Sequence, residues 1–281
     1  MRTMKALAER DEIDSRGLVT AEIELARRLE QSISLAPPPT SSGVESIACG
    51  AFRAWLVSYT SNHEANYAMP VAPMHPDQVS AAIDDLRAVF AARSRTLRIE
   101  FVEELWPELG TALQRAGLHL VAREPLMACA KTEFTPAPAL GVNVRALSID
   151  DADADLAVFV RIREQRPMDG SRPVSERAVA AVRETLRAGT ETCAIATIDG
   201  QPAAAGRCIF QSDGLGEITS IVTLPEFRKR GVAGALVSFL IGGLIERGGS
   251  IAWLNAANEQ ARSVYARLGF RSIGSLVNYE D

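Results

Sequence analysis

Leu224-Pro-Glu-Phe-Arg228-Lys-Arg-Gly231-Val-Ala-Gly-Ala235 is the stretch of this sequence that decides the fold. It follows a strand-like segment, Glu217 to Thr223, and opens an apolar segment from Val232 to Arg247 that predicts a long helix. The first turn of a helix has unpaired N–H groups and the positive end of the helix dipole, which together favour bound phosphate. Small residues at positions 231, 233 and 234 would let a ligand approach the backbone. The stretch therefore indicates a phosphate-binding loop; a solvated basic turn ahead of a core helix is the alternative.

The loop does not fit the two common glycine-rich phosphate motifs. It lacks both the G-x-x-x-x-G-K-S/T and the G-x-G-x-x-G spacing. Its three consecutive cations, Arg228, Lys229 and Arg230, raise the local positive potential.

Two motifs in this half of the chain resemble those of the GNAT superfamily of N-acetyltransferases. Arg228, Gly231 and Ala233 fill the pattern Arg/Gln-x-x-Gly-x-Gly/Ala of the family's acyl-CoA pyrophosphate loop. Downstream, Asn258-Glu-Gln-Ala261-Arg-Ser-Val-Tyr265-Ala-Arg-Leu-Gly269-Phe270 matches the second motif, Asn-x-x-Ala-x-x-x-Tyr-x-x-x-Gly-Phe, at every position. The resemblance covers residues 142–281 directly.

The resemblance implies acetyl-CoA as co-substrate, with no metal. Val222 and Thr223 would pair with the pantetheine arm from an exposed strand edge, and Asn258 would hydrogen-bond the same arm. An alternative role for Asn258 is a simple N-cap of the last helix, and the two roles can coexist. The backbone of the loop would cradle the pyrophosphate through Lys229, Arg230, Gly231, Val232, Ala233 and Gly234.

The resemblance also implies two catalytic side chains. Tyr265 would lie near the sulfur of CoA as general acid to the departing thiolate; a helix tyrosine packed beside Gly269 is the alternative. Glu217 resembles the glutamate base that some family members carry on this strand, and apolar neighbours could raise its pKa. A strand-edge carboxylate is the alternative for Glu217. A histidine base would have to come from the first half, which holds His63, His75 and His119.

The chain predicts two copies of one fold. Shifting the second half back by 152 positions places Gly269 on Gly117 and Trp253 on Phe101 without a gap, with the elements in the same order. The proline-containing stretch TEFTPAPALG reads as a linker. We therefore predict a degenerate GNAT-like domain over 1–132, a linker over 133–141 and a catalytic domain over 142–281. Each would be an α/β (α+β) domain with a mixed, mostly antiparallel sheet between helices.

The same shift predicts that the first copy has lost the ligand-binding residues. Pro76, Gln78 and Val79 replace Arg228, Arg230 and Gly231, and Trp106 replaces Asn258. Pro76 has no N–H to offer, and the side chain of Val79 would crowd a phosphate. One CoA per chain is expected, with the first half bracing the second and helping to wall the acceptor pocket.

Composition bounds the remaining classes. With 281 residues, 47% of them hydrophobic and 23% charged, the chain is an ordinary globular protein of about two domains. A net charge of -5 argues against nucleic acid as partner, and the sequence lacks an apolar run of ~20 residues that would cross a membrane. The four cysteines are far apart in the sequence, so neither disulfide bonds nor a zinc site is predicted. We expect a cytoplasmic monomer or homodimer.

The predicted function is transfer of acetyl from acetyl-CoA to a primary amine of a small molecule or peptide, by direct attack. No covalent acyl-enzyme is expected, because neither Cys193 nor Cys208 belongs to a nucleophile–base pattern. The alternative is a non-catalytic acyl-CoA-binding or sensing module. Acceptor choice would come from the segment Arg161 to Pro173, whose arginines either bind an anionic group or are solvated.

Overall fold

The computed structural model describes residues 20–34, 43–58, 65–166, 168 and 171–281; His63 lies outside the described residues. The seven α-helices of the described residues are α1 Thr20–Ser34, α2 Pro76–Ala91, α3 Leu109–Arg115, α4 Asp153–Arg163, α5 Glu176–Ala188, α6 Val232–Glu246 and α7 Glu259–Arg267. The strands are β1 Val44–Cys49, β2 Phe52–Val57, β3 Tyr67–Pro70, β4 Arg98–Val102, β5 His119–Ala130, β6 Val142–Ala146, β7 Glu191–Ile198, β8 Gln201–Phe210, β9 Leu215–Thr223, β10 Ile251–Asn255 and β11 Arg271–Glu280. No helix among the described residues is both long and apolar enough to span a bilayer.

Most elements agree with the sequence periodicity, and the exceptions have local causes. The sequence around Pro125 predicts two short strands, but Pro125 lies inside the continuous strand β5, one pair beyond the register shift between Ser272 and Gly274 of β11. β1 was not predicted, since apolar and polar residues do not alternate in its sequence Val-Glu-Ser-Ile-Ala-Cys. The sequence predicts a helix over 105–116, but α3 begins only at Leu109, and Glu103–Leu105 forms a 3₁₀ turn.

The eleven strands form one sheet in the order β1-β2-β3-β4-β11-β5-β10-β9-β8-β7-β6. The last strands of the two halves are exchanged: β5 pairs with β10 of the second half, and β11 pairs with β4 of the first. β5 and β11 also pair with each other at the centre. The linker therefore joins halves that share one hydrogen-bonded sheet, and the boundaries at 133 and 141 stay a prediction.

The internal repeat holds element by element, but the ungapped shift is wrong in two places. The 152-residue shift superposes the buried Leu113 on the buried Tyr265. On α6 the buried Val237, Leu240 and Leu244 match the buried positions of α2 at a shift of 154 residues. On β10 the side chain of Trp253 packs against α1, whereas that of Phe101 faces the core of α2 and α3. Because neighbouring residues of a strand face opposite sides of the sheet, the residue that corresponds to Trp253 lies one position away from Phe101.

Helices cover the sheet on both faces. On one face, cysteine and aliphatic side chains of β8 and β9 pack against α6. In the first half, α2 and α3 pack against β2, β3 and β4 and form a separate core with them. On the other face, α1 packs against Val102, Leu126, Leu215 and Trp253 through Ala26 and Leu29. We call this second side, the side of Val102 and Leu215, the inner face.

Candidate active site

A cleft opens between β9 and β10. The two strands run parallel and are paired only from Ile251–Leu215 to Trp253–Glu217, after which they diverge. The remainder of β9, Ile218 to Thr223, therefore has one backbone edge that β10 does not pair. An unpaired strand edge is a template for an extended ligand.

A bulge shapes the β9 side of the cleft. The ladder with β8 slips between Ala205–Val222 and Arg207–Thr219, and Ser220 lies at φ 56° in the left-handed region. Bulges of this kind re-aim side chains and increase the local twist. The bulge directs the end of β9, with Val222 and Thr223, toward the start of α6.

The first turn of α6 is open. Its N-cap is Gly231 at φ 78°, and no side chain of the described residues caps the N–H groups that follow. Lys229 also lies in the left-handed region, at φ 62°. The loop thus presents successive backbone N–H groups without internal partners, which is the arrangement that binds anions.

The packing of the protein itself requires a glycine at position 231. A Cβ on Gly231 would lie 2.9 Å from the Cβ of Ala139 in the linker. The linker is held to the same helix by the N–H of Ala137, which donates to Ser238 Oγ at 2.9 Å. Small residues at this helix start therefore let the linker pack, a role that the sequence pattern did not reveal.

The three cations of the loop are exposed and differ in their contacts. The Arg228 Nε donates to the carbonyl of Thr223 at 3.2 Å and ties the loop to the end of β9. The guanidinium of Arg230 lies 5.7 Å from the centre of the Phe227 ring. These contacts hold two of the three positive charges near the start of α6.

Thr223 carries an unsatisfied group at the end of the open strand edge. Its hydroxyl is buried and has no hydrogen-bond partner. A buried hydroxyl without a partner is costly, so such groups mark strain or a ligand position.

Asn258 is the N-cap of α7. Its Oδ1 accepts the N–H of Ala261 at 2.9 Å, which confirms the capping role. The cap leaves the Nδ2 group as a donor at the end of β10, on the opposite side of the cleft from β9.

Tyr265 is buried on α7, with its ring centre 6.0 Å from that of Phe270. Burial raises the pKa of Tyr265 to about 12, so its phenol is protonated at neutral pH. The structure does not bring Tyr265 and Glu217 into contact; they lie on different elements, α7 and β9.

Glu217 lies on the inner face of β9. Burial raises its pKa to about 7, opposed by Arg207 and helped by Glu191 and Glu100. Its row of paired residues is Glu191, Ile209 and Glu217, and the neighbouring row is Cys193, Arg207 and Thr219. Arg207 forms an ion pair with Glu191 at 3.1 Å. Glu217 is therefore a carboxyl that titrates near neutrality.

Arg207 is a site residue that the sequence analysis missed. It stands in an otherwise small and apolar strand, Gln201–Phe210, and the isolated charge there was the available signal. Two arginines of the segment Arg161 to Pro173 bind the loop that follows α4 instead: Arg161 donates to the carbonyl of Arg172 at 2.9 Å, and Arg166 to that of Pro173 at 3.0 Å. Neither of them is simply solvated.

The corresponding cleft in the first half is filled by the chain. β3 and β4 are paired only at Ala68–Ile99 before they diverge. The buried carboxylate of Glu30 on α1 accepts the N–H of Val102 at 2.9 Å and the Nε1–H of Trp106 at 2.8 Å. The 152-residue shift places Trp106 on Asn258.

The N-terminus of α2 is also closed. His75 accepts the N–H of Asp77 and Gln78 caps His75 in return, and Pro76 occupies the first turn. The anion-binding groups that α6 leaves open are thus consumed here by side chains of the chain itself.

These features define an α/β protein with one open strand–loop–helix cleft. Residues 197–279 match the family model described as FR47-like protein. This segment is thus similar to an FR47-like, GNAT-type domain, and the resemblance inferred from the two motifs is confirmed. No curated protein matches the sequence.

Solved structures share the fold over most of the chain. A GCN5-related N-acetyltransferase from Kribbella flavida is 23% identical with a TM-score of 0.68, over 93% of this chain and 95% of that one. A tandem GNAT protein from the clavulanic acid biosynthesis pathway is 16% identical with a TM-score of 0.59, over 88% and 84%. A GCN5-related N-acetyltransferase from Sphaerobacter thermophilus is 18% identical with a TM-score of 0.59, over 82% and 76%. The predicted fold class, a tandem GNAT-like α/β protein, is confirmed.

Proposed function

We propose that this protein is an N-acetyltransferase that moves acetyl from acetyl-CoA to a primary amine of a small molecule or peptide. The observation that carries the proposal is the open cleft between β9 and β10, which ends at the uncapped first turn of α6. The match of residues 197–279 to a GNAT-type family supports it.

The residues at the cleft fit an acyl-CoA. The free edge of β9 would pair with the pantetheine arm at Val222 and Thr223, and the unpartnered hydroxyl of Thr223 would gain a hydrogen bond there. The Nδ2 of Asn258 would donate to the same arm from the other side. The pyrophosphate would be bound by N–H groups between Lys229 and Gly234, with Arg228 and Arg230 supplying charge.

Two side chains would move the protons. Glu217 would accept a proton from the ammonium of the acceptor, whose free amine then attacks the thioester carbonyl. Tyr265 would donate its phenolic proton to the thiolate that leaves as the C–S bond breaks, and the proton that the attacking nitrogen then loses would restore the phenol through solvent. At neutral pH Tyr265 stays protonated, and Glu217, with a pKa of about 7, is deprotonated in roughly half of the molecules and increasingly so as the pH rises.

Direct transfer is favoured over a covalent intermediate. Burial raises the pKa of Cys193 and of Cys208 to about 12, so both are thiols rather than nucleophilic thiolates at neutral pH. The second candidate function, a non-catalytic acyl-CoA-binding module, would use the same cleft without Glu217 and Tyr265.

The test is release of CoA thiol from acetyl-CoA in the presence and absence of amines. An acetyltransferase releases CoA in proportion to added amine and yields an acetylated product by mass spectrometry. Calorimetric binding of acetyl-CoA with no amine-dependent release from any amine in a broad panel would identify the binding module instead.

A further inference from the structure

Arg207 lies beside two residues of the inner face that carry carboxyl groups. On β8, Ile209 is paired with Glu191 of β7 on one side and with Glu217 of β9 on the other. Arg207 precedes Ile209 by two residues, so its side chain points to the same face of the sheet. Diagonal neighbours of this kind lie about 7–8 Å apart, within reach of a long side chain. One guanidinium can therefore reach both carboxyl groups.

Glu191 already holds this guanidinium from one side. The Nη1 atom of Arg207 lies 3.1 Å from Oε2 of Glu191, and the exposed fractions of the two side chains are only 25% and 11%. The Nε–H of Arg207 is buried as well, and this atom meets no acceptor among the described residues. Because a buried donor without an acceptor is costly, a second carboxylate at this guanidinium would be stabilised.

The carboxyl group of Glu217 is directed toward Arg207. It accepts a hydrogen bond from the hydroxyl of Thr219, and Thr219 is the residue directly paired with Arg207. Directly paired residues of an antiparallel sheet have their Cβ atoms about 4.5–5.5 Å apart. The hydrogen bond to Thr219 therefore holds the Glu217 carboxyl group on the side where the arginine begins.

Arg207 is the cation that acts on Glu217 among the described residues. Burial raises the pKa of Glu217 to about 7, and Arg207 opposes that rise. Glu191 and Glu100 of β4 increase the pKa further. Trp253, the residue paired with Glu217 on β10, carries no charge. Arg207 is therefore the charge that favours the carboxylate form.

Two further side chains on neighbouring elements leave this balance unchanged. The phenol of Tyr67 on β3 is neutral, because burial and the charges of Glu100 and Glu217 raise its pKa. Arg163 belongs to α4, which packs against β8 and β9, and its charge acts on the thiol of Cys193. Neither of these two groups supplies Glu217 with a second cation.

We propose that Arg207 is a positioning residue for the general base: its guanidinium, anchored by Glu191, binds the carboxylate of Glu217 while that group is deprotonated. The proposal rests on the proposed acetyltransferase function, in which Glu217 accepts a proton from the ammonium of the acceptor. Arg207 makes the carboxylate available near neutral pH, and Glu191 limits the effect because it shares the same guanidinium. Arg207 acts through Glu217 and needs no contact with the acceptor.

The first experiment measures the pH dependence of kcat/KM in variants that act in opposite directions. Arg207→Met removes the cation, so the acidic limb should move to higher pH by about one pH unit. Glu191→Gln removes the competing carboxylate, so the limb should move to lower pH; this variant keeps the arginine and carries the test if Arg207→Met does not fold. Arg207→Lys keeps the charge and should shift the limb less than Arg207→Met. A limb that keeps the parent midpoint in these variants would overturn the proposal.

Arg247→Met is the matched control. The guanidinium of Arg247 lies 4.4 Å from the centre of the Phe210 ring. Phe210 is paired with Gly216, which lies against Leu244 of α6, so this cation is on the opposite face of the same strands. Its removal should leave the midpoint of the acidic limb in place. A shift as large as that of Arg207→Met would show an effect of net charge and would overturn the specific pairing.

The ionisation of Glu217 can also be measured without catalysis, which separates this proposal from the proposed function. An NMR titration of labelled glutamate carboxyl carbons, assigned with Glu217→Gln, follows this group in each variant. Its pKa should rise in Arg207→Met and fall in Glu191→Gln. If that pKa does not respond, the pairing with Arg207 is wrong. If it responds while the acidic limb stays fixed, or while no amine accepts acetyl, Glu217 is not the base of an acetyltransferase and the proposed function is what fails.

Discussion

At the scale of single residues, Glu217 sets the pH dependence. A general base must be deprotonated, so kcat/KM should fall as the pH drops through about 7, the pKa of this carboxyl. Glu217→Gln should lower kcat/KM and abolish that acidic limb of the profile. A limb that persists unchanged in Glu217→Gln would assign the base to another group.

Glu217 should also be a source of instability, which gives a second readout for the same variant. Its folded-state pKa lies above the ordinary 4.5, so the folded protein binds the proton more tightly than the unfolded chain does. Stability from this group is therefore lost as the pH rises from 4.5 through about 7. At pH 8, Glu217→Gln should melt at a higher temperature than the parent protein while being less active.

Tyr265 is the second residue whose role can be isolated. Tyr265→Phe removes only a hydroxyl, so folding and acetyl-CoA affinity should be preserved while kcat falls by roughly 10²-fold. The loss should shrink above pH ~8.5, where a thiolate leaves without a proton more easily. Parent-like turnover under conditions where chemistry limits the rate would leave a water molecule as the proton donor.

At the scale of elements, the open first turn of α6 predicts opposite effects on stability and binding. Ala233→Asp places a carboxylate at the positive end of the helix, which should stabilise the fold by about 0.5 kcal/mol. The same charge should repel a pyrophosphate and weaken acetyl-CoA binding by roughly tenfold. Calorimetry and thermal melting measure the two effects. Gly231→Val is a poorer test, since its side chain would meet Ala139 and a left-handed backbone.

The matched control is Ala152→Asp. Ala152 is the N-cap of α4 and likewise has no side-chain cap. The change should stabilise this helix and leave acetyl-CoA binding unaltered. Equal affinity for acetyl-CoA in both variants would show that the phosphates bind away from α6.

The elements also show how far local sequence can predict this protein. Periodicity and capping residues located the helices, and the motif at 224–235 located the strand, loop and helix of the cleft, because these depend on neighbours in the sequence. The neighbours of Glu217 could not be predicted: Arg207 lies beside it because of the register between β8 and β9. The exchange of β5 and β11 could not be predicted either, because the sequence pattern of each strand is compatible with pairing to β4 or to β10.

At the scale of the whole molecule, the closed first-half cleft predicts one acetyl-CoA per chain. Glu30 occupies the backbone donor of Val102, and His75 with Gln78 caps α2. Calorimetric titration should give a stoichiometry near one. Two equivalent sites per chain would show that Glu30 and His75 yield to the ligand.

The shared sheet makes a stronger prediction, that the second half does not fold by itself. In a fragment of residues 142–281, β10 would lose β5 on one edge, and β11 would lose both of its neighbours, β4 and β5. The side chain of Trp253 would also lose its packing against α1. Exposed strand edges and apolar surface favour aggregation. We expect the fragment to lack a cooperative thermal transition and to bind no acetyl-CoA.

Restoring the missing strand is the control for this experiment. Co-expression of residues 1–141 with residues 142–281 supplies β4 and β5 in trans and completes the same eleven-stranded order. The paired fragments should co-purify and regain acetyl-CoA binding, because the ladder does not depend on the covalent link through the linker. A fragment 142–281 that unfolds cooperatively alone and binds acetyl-CoA as the full chain does would show that β11 can return to its own half, and that the predicted boundary at 141 separates independent domains.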